Sequence, residues 1–161
     1  MNLINLILIL GMTLLLTYSG FSALLIGRMP ISLSETYYDL KRQRKGWYFT
    51  LTLFTTAASL LPIWLDKTEG AWYQFLVFIS CACVFFVAVT PDYRKDMERK
   101  IHYTSAYLAC IAVIVYHIVN GSWPILIITL IPTVVSILGK FDGVAFFAEI
   151  GLICSIYLSL I

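Results

Sequence analysis

Residues 71–103, AWYQFLVFISCACVFFVAVTPDYRKDMERKIHY, place a dense charged cluster directly after a run of 21 residues without a charge. An uncharged run of about 20 apolar residues is long enough to cross the hydrocarbon core of a bilayer. Seven charged residues lie between Asp92 and Lys100, although the whole chain has only 11 basic and 9 acidic residues. This alternation is typical of a polytopic membrane protein.

The rest of the chain repeats the pattern. It is 60% hydrophobic and 12% charged, whereas soluble domains are nearer half apolar and a quarter charged. We therefore predict an all-α fold, a single transmembrane domain over residues 1–161 that forms a compact bundle of six helices. Pro132 predicts a kink in the fifth. The predicted spans are residues 3–27, 47–65, 71–90, 101–119, 123–139 and 143–161.

Basic residues predict the orientation. Only Lys67 lies outside the first, third and fifth loops, so the positive-inside rule places those loops in the cytoplasm and both termini outside. The expected location is a bacterial cytoplasmic membrane. The other ten basic residues are Arg28, Lys41, Arg42, Arg44, Lys45, Arg94, Lys95, Arg99, Lys100 and Lys140.

Two loops carry helix signals. In the first, Ser32 and Glu35 have the spacing of a capping box, which predicts a short amphipathic interfacial helix near residues 32–44. In the third, Thr90 and Pro91 predict a helix start, with the threonine as N-cap.

Other features narrow the function. A net charge of +2 is too small to indicate a nucleic-acid partner, and the four cysteines all lie inside apolar runs as packing residues. The sequence contains no HExxH, GxSxG, Walker or CxxC motif. His117 falls near the predicted outer boundary, where we expect an interfacial side chain.

Ionisable groups within spans are candidates for function, because they are costly there. Glu149 lies inside the sixth span, and His102 lies at the inner mouth of the fourth. Polar residues at compatible depths predict a polar pocket open to the cytoplasm. The catalytic candidates are His102, Asp92, Glu149 and Ser34; the substrate-binding candidates are Glu35, Tyr37, Tyr18, Ser19, Thr55 and Ser105; and His102 with Glu149 are the candidate ligands for zinc.

Two stretches, PISLSETYY (30–38) and ISCACVFFVAVTPDYRKDMERKIHYTSA (79–106), resemble small six-helix membrane proteins of bacteria and their phages. More distantly, the pattern of serine, aspartate and histidine is similar to that of the alkaline-ceramidase-like (CREST) membrane hydrolases. That similarity implies roles for Ser80 or Ser34, Asp92 and His102. The chain departs from that superfamily, which usually has seven helices and an HxxxH pair in the last, where this chain offers only Glu149.

Three classes of function stay open at this point. The first is a membrane protein whose pocket binds or processes a lipid or small molecule, in one form as a metal-dependent hydrolase. The second is a small proton-coupled transporter that uses Glu149. The third is a structural or assembly subunit of a membrane complex. The expected partners are membrane lipid and either a second copy of the chain or another membrane protein.

Overall fold

The computed structural model describes residues 3–161, which are helical without any strand. This confirms the all-α class. The described helices are α1 (Leu3–Ile26), α2 (Thr36–Arg42), α3 (Trp47–Lys67), α4 (Phe75–Val89), α5 (Asp96–Val119), α6 (Trp123–Thr129), α7 (Ile131–Leu138) and α8 (Val144–Leu160).

Three helices in the described part are long and apolar enough to cross a membrane, namely α1, α3 and α5. The prediction of six full spans therefore holds only in part. The apolar helices α4 and α8 have 15 and 17 residues, so each is about 25 Å long or less, against a hydrocarbon core of about 30 Å. At α4 the shortening has a local cause, since residues 71–74 form turns and Pro91 cannot continue the helix.

The predicted fifth span is not one helix. It is divided at Leu130 into α6 and α7, of 7 and 8 residues. Pro132 has no N–H to donate to the preceding turn, which is the expected cause of the break. On the facing helix, a Cβ at Gly151 would lie 2.5 Å from the carbonyl oxygen of Thr129, so the break packs directly against α8.

Helix α8 occupies the centre of the arrangement and contacts α1, α3, α5, α6 and α7. Helices α3, α4 and α5 pack in chain order beside it. The core has two clusters, one around Trp64, Tyr116 and Tyr157, the other around Phe49 and Phe146. The second cluster includes residues of α2 and its preceding loop, so this loop is part of the folded core.

A short helix is present where the sequence predicts the amphipathic interfacial helix: it is α2, which is preceded by a turn and is shorter than residues 32–44. Ser32 Oγ accepts the backbone N–H of Glu35 at 3.1 Å, as a capping box requires. The Glu35 carboxylate instead accepts the N–H of Ile31 at 2.7 Å. The capping residues thus tighten the loop ahead of the helix.

Candidate functional site

His102 lies near the start of α5 with a side chain that is 2% exposed. Thr90 follows the last residue of α4 and does not begin the next helix, so its predicted role as an N-cap is wrong: α5 begins at Asp96. The reason is that the Thr90 hydroxyl bonds backward to the carbonyl of Phe86, at 2.6 Å. The Thr90 carbonyl is left without an intrahelical donor and pairs with His102 Nδ1 at 2.8 Å.

This contact determines which ring nitrogen of His102 carries the proton. A carbonyl oxygen only accepts hydrogen bonds, so Nδ1 is the protonated nitrogen of the neutral ring and Nε2 holds a lone pair. Ser34 Oγ lies 2.9 Å from Nε2. The serine hydroxyl therefore donates to the histidine, and the histidine is held by a third group. This is the geometry of an activated nucleophile and its base.

Ser34 reaches His102 because residues 29–34 run along the first turns of α8. The N–H of Phe146, in the first turn of α8, donates to the carbonyl of Ile31 at 3.0 Å. One turn further on, the Glu149 carboxylate accepts the N–H of Leu33 at 2.6 Å. Glu149 thus positions the loop immediately before the serine. We call residues 29–34 the strap.

A cavity of about 420 Å³, the chamber, lies beside the Ser34–His102 pair, between the strap, α5 and α8. Burial raises the pKa of Tyr93, on its wall, to about 12, so this phenol stays neutral. The described residues that line the chamber are Ile31, Ser32, Ser34, Glu35, Tyr93, His102, Tyr103, Ala106, Tyr107, Cys110, Ala145, Ala148, Glu149 and Leu152.

A second cavity of about 80 Å³, the apolar pocket, extends from the chamber between α3, α4, α5 and α8. Ser34 and Glu149 line both cavities, so they stand at the junction. The other side chains of the apolar pocket are all hydrophobic or cysteine: Leu33, Leu53, Val84, Val87, Ala106, Ala109, Cys110, Val113, Leu152 and Ile153.

The donor set does not fit the zinc that the sequence led us to expect. Both ring nitrogens of His102 are engaged, one by Thr90 and one by Ser34. Within residues 3–161, no group of three or more His, Cys, Asp and Glu side chains is placed to hold a metal ion. Structural and catalytic zinc sites use at least three protein ligands. Chemistry at this site is therefore derived without a metal.

Of the predicted catalytic residues, Asp92 lies away from the chamber. Its carboxylate accepts from Lys41 at 3.1 Å and from the hydroxyl of Tyr38 at 3.2 Å, and it pairs with Lys95 at 3.4 Å. The hydrogen bond from Lys41 is the largest cause that lowers the pKa of Asp92 below its ordinary value. Asp92 ties the third loop to α2 and makes no contact with His102, whose Nδ1 is held by Thr90.

Of the predicted substrate-binding residues, one lines the chamber and five do not. Glu35 lines the chamber and pairs with Arg28 at 3.1 Å. The others do not line either cavity. Tyr18 donates to Thr36 Oγ1 at 2.6 Å, and Ser19 donates to the carbonyl of Leu15 in its own helix. Tyr37 packs on Phe49. Ser105 is buried, and Thr55 is half-buried.

Ser80, the alternative serine implied by the CREST resemblance, is buried in α4 and does not pair with His102. The sequence did not identify Thr90 as the residue that orients His102. It also did not identify the tyrosine wall of the chamber, which consists of Tyr93, Tyr103 and Tyr107. Pro91 was a usable signal for Thr90, because a proline after an apolar helix leaves a free carbonyl in the last turn. The spacing of Tyr103 and Tyr107 by one helical turn was a usable signal for the wall.

His117 is not an interfacial side chain, because it is fully buried. Its Nε2 lies 2.8 Å from Ser155 Oγ, and its Nδ1 lies 2.8 Å from Ser122 Oγ. Ser155 donates its own proton to the carbonyl of Leu152 at 2.7 Å, so it accepts from the histidine. The residues around His117 and Ser155 in the sequence are mostly apolar, so the hydropathy pattern gave no sign of this hydrogen bond.

No protein-family model, no curated protein and no solved structure matches the chain. Its function is therefore inferred from the geometry of the Ser34–His102 pair and its two cavities.

Proposed function

We propose that the chain is a serine-dependent membrane hydrolase that cleaves an acyl bond of a lipid or small amphiphile. The observation that supports it is the pair itself: Ser34 Oγ lies 2.9 Å from His102 Nε2, the ring nitrogen with the lone pair, at the junction of two cavities. Buried serines in helices usually bond to their own backbone. Ser34 instead lies in a loop and donates to a base, beside space for a substrate.

The reaction follows from the proton positions. Ser34 Oγ attacks the carbonyl carbon of an ester, and its proton moves to His102 Nε2. The imidazolium returns that proton to the leaving alcohol oxygen as the C–O bond breaks. A water molecule then attacks the acyl-serine in the same way, releasing a carboxylic acid and restoring the Ser34 hydroxyl. The Thr90 carbonyl holds the Nδ1–H throughout and stabilises the imidazolium.

The test is covalent labelling with an alkyl fluorophosphonate, followed by mass spectrometry of the modified peptide. We expect Ser34 to be labelled, and Ser34→Ala to abolish the signal. His102→Ala should slow labelling by about 10²- to 10⁴-fold, the usual contribution of a general base. Ser105→Ala, a buried serine of α5 outside both cavities, is the matched control and should leave labelling unchanged.

Labelling at the wild-type rate in His102→Ala would contradict the proposal, as would the absence of label on Ser34 in a folded preparation. Thermal unfolding of each variant shows whether it remains folded. If a folded preparation gives either contradicting result, the role of the Ser34–His102 hydrogen bond is to fasten the strap to α5.

We place this site on the cytoplasmic side of a bacterial inner membrane, in a six-span, N-out and C-out arrangement. What supports this topology is the distribution of basic residues and the six apolar runs. The substrate would enter from the inner leaflet or the cytoplasm. The shorter helices α4 and α8 then require local thinning of the bilayer or flanking polar groups that reach the interface.

The two other predicted classes make different demands. A proton-coupled carrier needs Glu149 as its titrating group, so Glu149→Gln would abolish transport driven by a proton gradient. A structural subunit would tolerate loss of Ser34 and would be isolated with a partner protein or a second copy. Neither class requires that the serine which donates to His102 also stand at the junction of two cavities.

A further inference from the structure

The chamber carries acidic groups without basic ones. Glu35 and Glu149 both line it, and no Lys or Arg is among the lining residues that the structure describes. Arg28 offsets Glu35, at 3.1 Å, whereas Glu149 makes no ion pair within residues 3–161. An anionic head group in this chamber would find no counter-charge. A cationic one would pair with a carboxylate that otherwise has only the backbone N–H of Leu33.

The chamber also has an aromatic wall made by three tyrosines. The ring centroids of Tyr93 and Tyr103 lie 5.6 Å apart, and those of Tyr103 and Tyr107 lie 6.5 Å apart. The negative faces of aromatic rings attract ammonium groups, and several rings around one cavity are a recurrent way to bind quaternary ammonium. The wall and the carboxylate therefore favour the same class of ligand.

The apolar pocket limits what such a ligand carries. On α5 it extends from Ala106 to Val113, seven residues, which corresponds to about 10 Å of depth. Its volume of about 80 Å³ and its hydrophobic lining suit a short hydrocarbon chain. Because Ser34 lines both cavities, a chain in the pocket and a head in the chamber would place the intervening bond at the Ser34 hydroxyl.

We propose that this site binds a short single-chain amphiphile with an alkylammonium head, the head in the chamber and the chain in the apolar pocket. The inference names the substrate class of the proposed hydrolase and so rests on that function for its catalytic meaning. Binding itself requires no reaction, which allows the two to be tested separately.

The experiment is calorimetric titration of the protein in a neutral detergent with three probes of equal chain length. These are hexyltrimethylammonium, hexyl sulfate and hexanol. We expect the cation to bind at least about tenfold more tightly than the other two. Equal affinities, tighter binding of the sulfate, or no binding of any probe would overturn the proposal.

Two variants test the residues. Glu149→Gln keeps an acceptor for Leu33 and removes the charge, so it should weaken binding of the cation by about tenfold while leaving hexanol unaffected. Glu98→Gln is the matched control, because Glu98 pairs with Lys95 outside the chamber. Equal loss in both variants would overturn the assignment of Glu149.

A further arm separates the sources of such a head. Short-chain lysophosphatidylcholine carries the same ammonium next to a phosphate. If it competes with hexyltrimethylammonium, the chamber accepts the ammonium of a lipid head group together with its phosphate; if it does not, the phosphate is excluded and the ligand is a free alkylamine. The ammonium selectivity itself is decided by the titration with the three probes.

Fluorophosphonate labelling of the same preparation completes the design. Selective binding without labelling would remove the hydrolase and retain the ammonium site. Labelling without selective binding would retain the hydrolase and remove the ammonium site.

Discussion

His102 and His117 lie on one helix and are both buried, and the Nε2 of each lies beside a serine hydroxyl, that of Ser34 or of Ser155. They differ in the direction of the hydrogen bond. At His102 the backbone carbonyl occupies the protonated nitrogen, so the serine donates to the ring. At His117, Ser155 already donates to a backbone carbonyl, so the ring donates its Nε2–H to Ser155 and accepts at Nδ1 from the hydroxyl of Ser122. Ser122 lines neither the chamber nor the apolar pocket, so Ser34 is the serine that donates to a histidine beside space for a substrate, whereas His117 joins α5 to α8.

Ser155→Ala should destabilise the protein by about 1–2 kcal/mol, because it leaves the Nε2–H of His117 buried without an acceptor. Ser80→Ala is the matched comparison. The Ser80 hydroxyl is 2% exposed and has no hydrogen-bond partner among the described residues. Removing it costs no bond, so we expect a change within about 0.5 kcal/mol. Thermal unfolding in one detergent measures both.

A Ser155→Ala variant as stable as the wild type would contradict the tautomer assigned to His117. A clear loss in Ser80→Ala would show instead that an ordered water binds its hydroxyl. Ser80 and Thr56, which is likewise unpartnered, line a cavity of about 30 Å³, which is large enough for one water.

At the scale of elements, two glycines allow other segments of the chain to approach α8 closely. At its N-terminus, Gly143 has φ +90°, and a Cβ there would lie 2.6 Å from Met29 Cγ and 3.0 Å from the carbonyl oxygen of Pro30. The strap therefore lies directly on the start of α8. Eight residues on, Gly151 contacts the backbone at the break between α6 and α7.

Gly151→Ala should destabilise the protein by about 1–3 kcal/mol, since a rigid backbone carbonyl lies where the new methyl group would be. Gly20→Ala in α1 is the matched control. A Cβ at Gly20 meets no atom within 4 Å, so alanine should be neutral or stabilise the helix by up to about 1 kcal/mol. Chemical denaturation of the two variants compares them, and equal effects would refute the close packing of α8 on the break.

The loop between α4 and α5 is joined to α2 by Asp92 with Lys41 and Tyr38. Burial is the largest cause that raises the pKa of Tyr38, to about 12, so its phenol remains a neutral donor to Asp92. Asp92 lies between Thr90 and His102 in the sequence, so this junction helps to fix the positions of both residues. It is a surface ion pair, and its effect should depend on pH.

The folded-state pKa of Asp92 is lower than the ordinary value of 3.8, so its ionised form favours folding. That stabilisation is fully present above the ordinary pKa and is lost as pH falls through the lower folded value. Asp92→Asn should therefore unfold at a lower temperature than wild type near pH 6, with the difference shrinking as the pH falls below the ordinary value of 3.8. A difference that is constant across this range would contradict the assignment.

The outer surface of the whole molecule is strongly apolar. Leu24 is 82% exposed, Ile118 62% and Phe78 54%, on three different helices. Soluble monomers rarely expose apolar patches of this extent. Apart from Glu149, the charged side chains lie in the short helix α2, at helix ends or in loops, so the long apolar helices carry few charges.

The proposed topology is tested by added cysteines and a membrane-impermeant maleimide on intact cells. Lys67→Cys should be labelled from outside, and Lys95→Cys should be labelled only after the membrane is opened. The native thiols interfere little, because three of the four are buried and Cys110 is half-buried. Labelling of both positions from the same side would exclude the arrangement with six spans.

The sequence alone was sufficient to predict the all-α class, the apolar runs, the short helix before Trp47 and the break near Pro132. Each depends on residues close together in the chain, through hydropathy, helix periodicity and proline geometry. The same reasoning selected Ser34, His102 and Glu149 as candidates, because polar groups near apolar runs are costly. It also overestimated the lengths of α4 and α8, since hydropathy does not register where backbone hydrogen bonding ends.

Only the tertiary structure decided how those residues combine. Ser34 and His102 are 68 residues apart in sequence, and Leu33 and Glu149 are 116 apart. Such pairs form because the strap packs along α8 and because α4 ends at a carbonyl that holds His102. These contacts depend on packing between distant elements, which no local pattern encodes, and for that reason Asp92 was predicted as catalytic and Thr90 was not.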